Sequence, residues 1–369
     1  MAWTGPGSRR YLKLFRHGAG ATPANVAFPS APLPYPDGWF CLGFGHEVGR
    51  GRVLTRRLMG EDVVLARGAS GVLRALRPYC PHLGAHLGVM GRVSGEEITC
   101  GFHRFVFSLD GPCRRTSYGQ PAPRATLGTL PVRESGGLVL VWRGQDGAPP
   151  TWEPPTIPTA GWQPPRGRMF EVASHPQQMT ENVIDFGHLE QLHGATLTKA
   201  PEVSFDGGVC TGRFQVGRTL PRVGRVSLDY TFSVYGLGLT VIECDLPWSG
   251  SRARFFALPT PVDPWLSHFR FAASATIGPI RGVPRTLSGP VHALAARSLR
   301  DVFFAVHAGG SSMDLPVWHY QKYQRTARLA PGDGPVGRYR KWAEQFYSTA
   351  SVDQVEAVLD HRADRLRNS

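Results

Sequence analysis

Cys80-Pro81-His82 and Cys100-Gly101-Phe102-His103 are the two stretches on which the reading of this 369-residue chain turns. Each sets one thiolate and one imidazole on a short loop, with seventeen residues between His82 and Cys100. Two sulfurs and two nitrogens can then converge. Tetrahedral zinc accepts such a set, but structural zinc sites usually pair their cysteines as C-x₂₋₄-C, whereas here each loop mixes the ligand types. Mixed loops suit a [2Fe–2S] cluster in which two histidines replace two cysteines on one iron and raise its potential. Gly84 and Gly88 permit tight turns, so that backbone amides can reach the sulfides. His86 competes with His82 for the first loop and is read as a histidine near the surface. Cys113 is read as a small packed residue at a turn, with a bond to another cysteine as the alternative.

Outward from these loops, short apolar and β-branched runs alternate with turn residues. Residues 62–67, then Ser70-Gly71, then 72–76 show the pattern, as do 105–109, Asp110-Gly111 and 138–142 after Gly136-Gly137. This predicts an all-β domain over 37–148. Seven prolines between Pro149 and Pro165 remove amide donors and fix φ, which makes 149–166 a linker. Residues 1–36 carry Arg9, Arg10, Lys13 and Arg16 without an acid and are expected to form an extension. The remainder, 167–369, reads as α+β around one antiparallel sheet, with strands at 226–234 and 239–244. Helices are expected over 291–306, ended by Gly309-Gly310, and over much of 336–366.

Composition narrows the function classes. With 44 glycines and 32 prolines, an all-helical fold is excluded, and six cysteines at irregular spacings do not make a disulfide scaffold or suggest secretion. No apolar run reaches the length of a membrane helix, so a soluble, cytoplasmic chain without a membrane span is expected. The net charge of +13 invites a nucleic-acid reading, but only four of the 41 basic residues are lysines and the arginines are scattered. A basic docking face for an acidic redox partner fits better, and no nucleic acid is expected.

The second constellation is Asn182-Val183-Ile184-Asp185-Phe186-Gly187-His188, followed by His193. Five steps of about 100° turn His193 roughly 140° away from His188 on an ideal helix, so both can face one metal only if the helix ends or bulges between them. Two histidines and a carboxylate form a facial triad that leaves positions open for oxygen and substrate. Asp314 is the chosen carboxylate, with Asp301 as its competitor. Asp185, at i−3 from His188, can orient that imidazole; its carboxylate could accept from two imidazole N–H groups at once.

Both sets, in order and spacing, resemble the oxygenase (alpha) component of Rieske non-haem iron oxygenases, and the resemblance covers nearly everything from Gly38 to the last helix. The C-x-H…C-x₂-H ligands of that family correspond to Cys80, His82, Cys100 and His103. Its N-x₂-D-x₂-H-x₄-H segment corresponds to Asn182, Asp185, His188 and His193, and its late aspartate ligand to Asp314. Asn182 and Asp185 thereby take catalytic roles, and His188, His193 and Asp314 hold a mononuclear Fe(II). The resemblance also implies a head-to-tail homotrimer in which the cluster of one subunit serves the iron of its neighbour through Asp185. Electrons would come from NAD(P)H through a separate reductase or ferredoxin. The spacing from His193 to Asp314 is similar to a branch that includes 3-ketosteroid 9α-hydroxylase, cholesterol 7-desaturase and aminopyrrolnitrin oxygenase. Two departures are Gly101, where the family often has Pro, and Arg104, where a small residue is common.

The expected activity is that of a monooxygenase, hydroxylating a bulky hydrophobic, polycyclic or steroid-like substrate. Phe232, Tyr235, Phe255, Phe256, Phe269 and Phe271 are expected to supply apolar area to its pocket or to the core. Desaturation, N-oxygenation or oxidative cyclisation of a natural-product intermediate are alternatives on the same iron site. A non-catalytic iron–sulfur electron carrier and a zinc-bearing structural or nucleic-acid-binding protein are the alternatives of other classes.

Overall fold

The computed structural model describes residues 13–16, 21–23, 33–220, 224–246, 249–280 and 285–347. It divides into two compact units, one of Asp37–Ile157 and one of Met1–Pro36 with Pro158–Ser369. The division falls among the prolines of the 149–166 segment.

The first unit is built from three small antiparallel sheets. Strands β1 (Gly38–Phe44), β11 (Leu138–Arg143) and β10 (Val132–Ser135) form the first, in that order. Strands β2 (Arg52–Leu58), β3 (Glu61–Arg67), β4 (Leu73–Leu76) and β9 (Thr129–Leu130) form the second. The third, β5 (Gly91–Ser94), β6 (Glu97–Cys100), β7 (Val106–Ser108) and β8 (Cys113–Arg115), follows a one-turn helix, α1 (Leu87–Met90). Val64, Leu76, Leu87, Ile98 and Phe107 pack into one core that also holds Cys80 and Cys100. The residues between β4 and α1 form one cysteine loop, and those between β6 and β7 form the other.

These two loops share one backbone design. The Cys80 amide donates to the Ala85 carbonyl while the Cys80 carbonyl accepts from Gly84, both at 2.9 Å. Cys100 repeats this with Phe105 at 2.9 Å and Arg104 at 3.0 Å. Closing each turn needs a residue in the left-handed region four positions after the cysteine: Gly84 has φ +75° and Arg104 φ +58°. Gly serves that position without steric cost and Arg does not. Gly88 has a different reason to be small, because a Cβ there would overlap the Thr55 side chain.

In the second unit, strands β12 (Arg166–Val172), β13 (Thr196–Leu197), β14 (Glu202–Asp206), β15 (Val209–Leu220), β16 (Gly224–Tyr235), β17 (Leu239–Leu246), β18 (Ser251–Asp263) and β19 (Leu266–Thr276) make one antiparallel sheet. Its order is β12-β19-β18-β17-β16-β15-β13, with β14 also paired to β15. Helices α2 (Pro176–Glu181) and α3 (Gly187–Gln191) precede the long strands, and α4 (Arg285–Tyr320) and α5 (Val336–Ala343) follow them. Helix α4 lays Leu299, Phe303, Phe304, Leu315 and Trp318 on Phe255, Phe269 and Phe271 of the sheet.

The helix expected to stop at Gly309-Gly310 runs on to Tyr320. Each interior glycine costs about 1 kcal/mol relative to alanine, but the apolar face of α4 continues across the pair into Leu315 and Trp318, and this packing holds the helix together. The expected helix over 336–366 is seen as α5, ending at Ala343, and a 3₁₀ turn over Glu344–Phe346; residues 348–369 lie outside the described residues. Of the 1–36 segment, residues 13–16 form a helical turn, and Phe15 packs against His319 with ring centroids 5.0 Å apart.

His175 ties the start of α2 to the N-terminal segment. Its Nδ1 accepts from the Gln177 amide at 3.1 Å, and its Nε2 donates to the Pro34 carbonyl at 3.0 Å. Burial presses its pKa from 6.5 down to about 4. The unfolded chain therefore binds an extra proton between those values, and the stability this group contributes is complete above pH 6.5 and is lost as pH falls toward 4, by about 3 kcal/mol. In His175→Asn, which retains a capping acceptor, the fall in urea midpoint of the second unit between pH 7 and 4.5 should shrink. In the first unit, Arg104→Gly should raise thermal stability by about 1 kcal/mol, read by calorimetry on the cluster-loaded protein.

Candidate active site

The helical register breaks where the histidines need it to break. Helix α2 ends at Glu181, residues 182–186 form a turn, and α3 is one short helix whose C-cap is Leu192. His193 thus lies just outside the helix that carries His188, and the two rings approach with centroids 5.0 Å apart at 78°. From the opposite side, Asp314 of α4 brings Oδ1 to 3.1 Å from His193 Nε2. Among the described residues, His188, His193 and Asp314 are the only three His, Cys, Asp or Glu side chains whose ligand atoms all lie within 4.8 Å of one another.

The donor set fits a divalent metal on its own evidence. Asp314 is 5% exposed, and its Oδ1 is paired with the His193 imidazole at 3.1 Å. A buried carboxylate is costly unless it is paired, and a cation shared with the two imidazoles would offset that cost. His188 Nδ1 donates to the main-chain carbonyl of Asp185, which leaves Nε2 as the lone pair available to a metal. The Asn182 amide stands 3.1 Å from that nitrogen. Two imidazoles and one carboxylate are the ligand types of an iron(II) facial triad.

Asp301, the competing carboxylate, lies thirteen residues before Asp314 on α4. Thirteen steps carry it about 140° around the helix, where it pairs with Arg166 at 3.1 Å and Arg300 at 2.8 Å. Asp185 is positioned somewhat differently from the expectation. Its carbonyl, not its carboxylate, takes the His188 proton, and Oδ2 stays 3.8 Å from Nδ1. Burial raises the Asp185 pKa; His188 opposes this and Asp333 adds to it. The turn over 182–186 explains the arrangement, since it aims the backbone at the imidazole and leaves the carboxylate at the rim of a second, polar cleft with Glu181, Asp333 and Arg340.

A cavity of about 740 Å³ adjoins the triad. Phe214, Phe255, Phe269, Phe271, Val306 and Met313 are among its apolar walls. Of the aromatic residues singled out from the sequence, Phe255, Phe269 and Phe271 face it, whereas Phe256 lies on the other side of β18, because successive side chains alternate across a strand. Phe232 packs into a separate core with Tyr339 and Trp342. Tyr230 and His307 line the cavity too. Tyr230 could have been found from the spacing of Val226, Leu228 and Tyr230; His307 had no local signal.

In the first unit, the His82 and His103 rings lie 4.8 Å apart at 81°, and His82 stacks on Phe105 at 4.1 Å. Cys80 and Cys100 are buried, and burial is the main cause of a raised Cys80 pKa, with Cys100 beside it. Two thiols side by side and two imidazole rings side by side are the donor types of a [2Fe–2S] cluster with mixed ligands. His86 instead points to Asp62, with Nε2 3.1 Å from Oδ2. Cys113 forms no disulfide, nor do the other five cysteines.

Fold and ligand sets together define an oxidoreductase of the Rieske oxygenase class. Residues 38–131 match the Rieske [2Fe-2S] domain. Residues 141–347, more than half of the chain, match the 3-ketosteroid 9alpha-hydroxylase C-terminal domain, and the chain belongs to that family. It is 29% identical over 361 residues to the cholesterol 7-desaturase of Hemicentrotus pulcherrimus, covering 90% of this chain and 74% of that one. It is also 29% identical over 357 residues to a probable 3-ketosteroid-9-alpha-monooxygenase, oxygenase component, of Rhodococcus rhodochrous, covering 90% and 84%. Dicamba monooxygenase, solved with non-heme iron and dicamba, shares the fold with a TM-score of 0.59 at 19% identity over 88% of this chain and 99% of that one.

Asp314→Ala should lose the mononuclear iron while the visible spectrum of the cluster persists, and Asp301→Ala should keep both; metal analysis beside absorption spectra checks this. Asp185→Asn should retain both metals and lose at least about a hundredfold in turnover, measured as product per reduced enzyme.

Proposed function

We propose that this chain is the oxygenase component of a multicomponent system that hydroxylates a bulky, hydrophobic, steroid-like substrate. The observation that carries the reading is the apolar cavity of about 740 Å³ adjoining His188, His193 and Asp314. Its size and lining suit a rigid polycyclic molecule, and the relatives are named for cholesterol and a 3-ketosteroid. Iron(II) held by His188, His193 and Asp314 would supply activation of O₂, with electrons from a [2Fe–2S] cluster on Cys80, His82, Cys100 and His103.

The chain's own residues do the rest. The Asp185 carbonyl fixes the His188 tautomer, and α4 holds Asp314 rigidly because its neighbours Leu315 and Trp318 are packed on the sheet. The aromatic wall excludes water from the side on which substrate enters. The Asp185 carboxylate, at the edge of the polar cleft, is free to accept from a second imidazole, the role proposed for it between a cluster and an iron in neighbouring subunits. Tyr79, Leu83 and Phe102 are exposed around the cysteine loops; an apolar rim of this kind supports docking to another copy in a homotrimer or to a ferredoxin or reductase that draws on NAD(P)H. Six cysteines without a disulfide among them support a reducing, cytoplasmic setting. No helix among the described residues is long and apolar enough to cross a membrane.

Desaturation is the second reading, favoured by the cholesterol 7-desaturases among the relatives. A single-turnover experiment separates the two: reduced, iron-loaded protein is mixed with O₂ and pooled steroids, and products are read by mass spectrometry. A steroid that gains one oxygen is the expected result, and one that loses two hydrogens would make the chain a desaturase. No conversion with both metal sites filled would overturn the steroid reading.

A further inference from the structure

The cavity is mostly apolar, and among the polar side chains on its wall are Tyr230 and His307. Tyr230 of β16 faces His307 of α4 across the cavity wall, with Oη 3.5 Å from Nε2. His307 lies seven residues before Asp314. Seven steps bring a helix back to within about 20° of the same face after a rise of about 10 Å, so the imidazole and the metal-binding carboxylate look into the cavity from one side, two turns apart.

The hydrogen bonding of this pair has a direction. His307 Nδ1 is 3.0 Å from the Phe303 carbonyl, which can only accept, so in the neutral imidazole Nδ1 carries the proton and Nε2 is an acceptor. Two phenyl rings hold the imidazole in this pose: Phe255 with centroids 4.0 Å apart, and Phe303, stacked at 5.5 Å. The Tyr230 hydroxyl also reaches the Cys244 thiol as a donor, so its single proton serves the sulfur or a partner in the cavity, one at a time. Its contact with Nε2, at 3.5 Å, is at the outer limit of a hydrogen bond. A ligand hydroxyl can improve on it by donating to Nε2 while accepting from Tyr230. A ketone oxygen has only lone pairs; it could accept from Tyr230 but would set one acceptor against another at Nε2.

We infer that Tyr230 and His307 are specificity-determining residues that anchor the hydroxyl end of a polycyclic alcohol about two helical turns from the metal site, and that they discriminate against the corresponding ketone. This rests on the steroid-like reading above and sharpens it, because the relatives are named for an alcohol, cholesterol, and for a 3-ketosteroid. A site built to hydrogen-bond a hydroxyl rejects an analogue without the donor far more strongly than an apolar pocket rejects a change of shape.

The test is equilibrium binding of labelled 5α-cholestan-3β-ol and 5α-cholestan-3-one, which differ only at the C3 oxygen, to the metal-loaded protein. The alcohol should bind at least about tenfold more tightly. His307→Phe keeps the ring stack and should bring the two within about threefold, by weakening the alcohol and sparing the ketone. Tyr230→Phe removes the donor the ketone needs and should widen the preference instead. Cluster absorption and circular dichroism verify that each variant is folded. Equal binding of both ligands to the unaltered protein, or a preference that survives His307→Phe, would overturn the anchor while leaving the steroid reading standing. Binding of neither would overturn both.

Discussion

A buried carboxylate needs a positive partner, and Asp314 is in that position: its Oδ1 lies 3.1 Å from His193 Nε2, and both imidazoles stand within ligand reach. Much of the second unit is arranged to meet this need. Helix α4 must run through two glycines to bring Asp314 to the histidines, α3 must stop at Leu192 to release His193, and the turn at 182–186 must present the Asp185 carbonyl to His188. Each is locally unfavourable or irregular. Packing of α4 on β18 and β19 offsets the first, and the hydrogen bond at His188 fixes the last.

The same helix connects the candidate metal site to the apolar cavity. Leu299, Phe303, Phe304 and Ala308 join the sheet core, while His307 and Asp314 open onto the cavity from nearly one face. The rigid element that carries Asp314 thus also carries His307, about two turns away on nearly the same face. In the first unit the economy is different. Two turns with one hydrogen-bond pattern present Cys80, His82, Cys100 and His103, with the two imidazole rings 4.8 Å apart, the donor types that a two-iron cluster of mixed ligands requires.

Much of the candidate site was legible in the sequence because it is written in short spacings. The two Cys-His loops and the Asn182-to-His193 stretch are local, and a helix of 3.6 residues per turn already demands a break between His188 and His193. The alternation of Val226, Leu228 and Tyr230 marks one face of a strand. Fold class could be read from turn residues and the proline-dense segment. The end of α4 was not legible, because Gly309-Gly310 carries a local stop signal that only tertiary packing overrides. Nor could the carboxylates be ranked by spacing alone: Asp301 and Asp314 share a helix, and only the sheet beneath it shows that Asp301 turns away to Arg166 and Arg300.

By itself, then, the sequence determined which residue types can bind metal and roughly where strands and helices lie, since these depend on contacts within a few residues. Only the tertiary structure decided that Asp301 turns away to arginines while Asp314, the carboxylate chosen from the sequence, meets the histidines, which of the paired phenylalanines 255 and 256 faces the cavity, and that Tyr230 and His307 meet. Those pairings join elements some seventy to a hundred and twenty residues apart, and no local periodicity records them. They exist because one buried helix face can satisfy the sheet, the metal ligands and the cavity wall together.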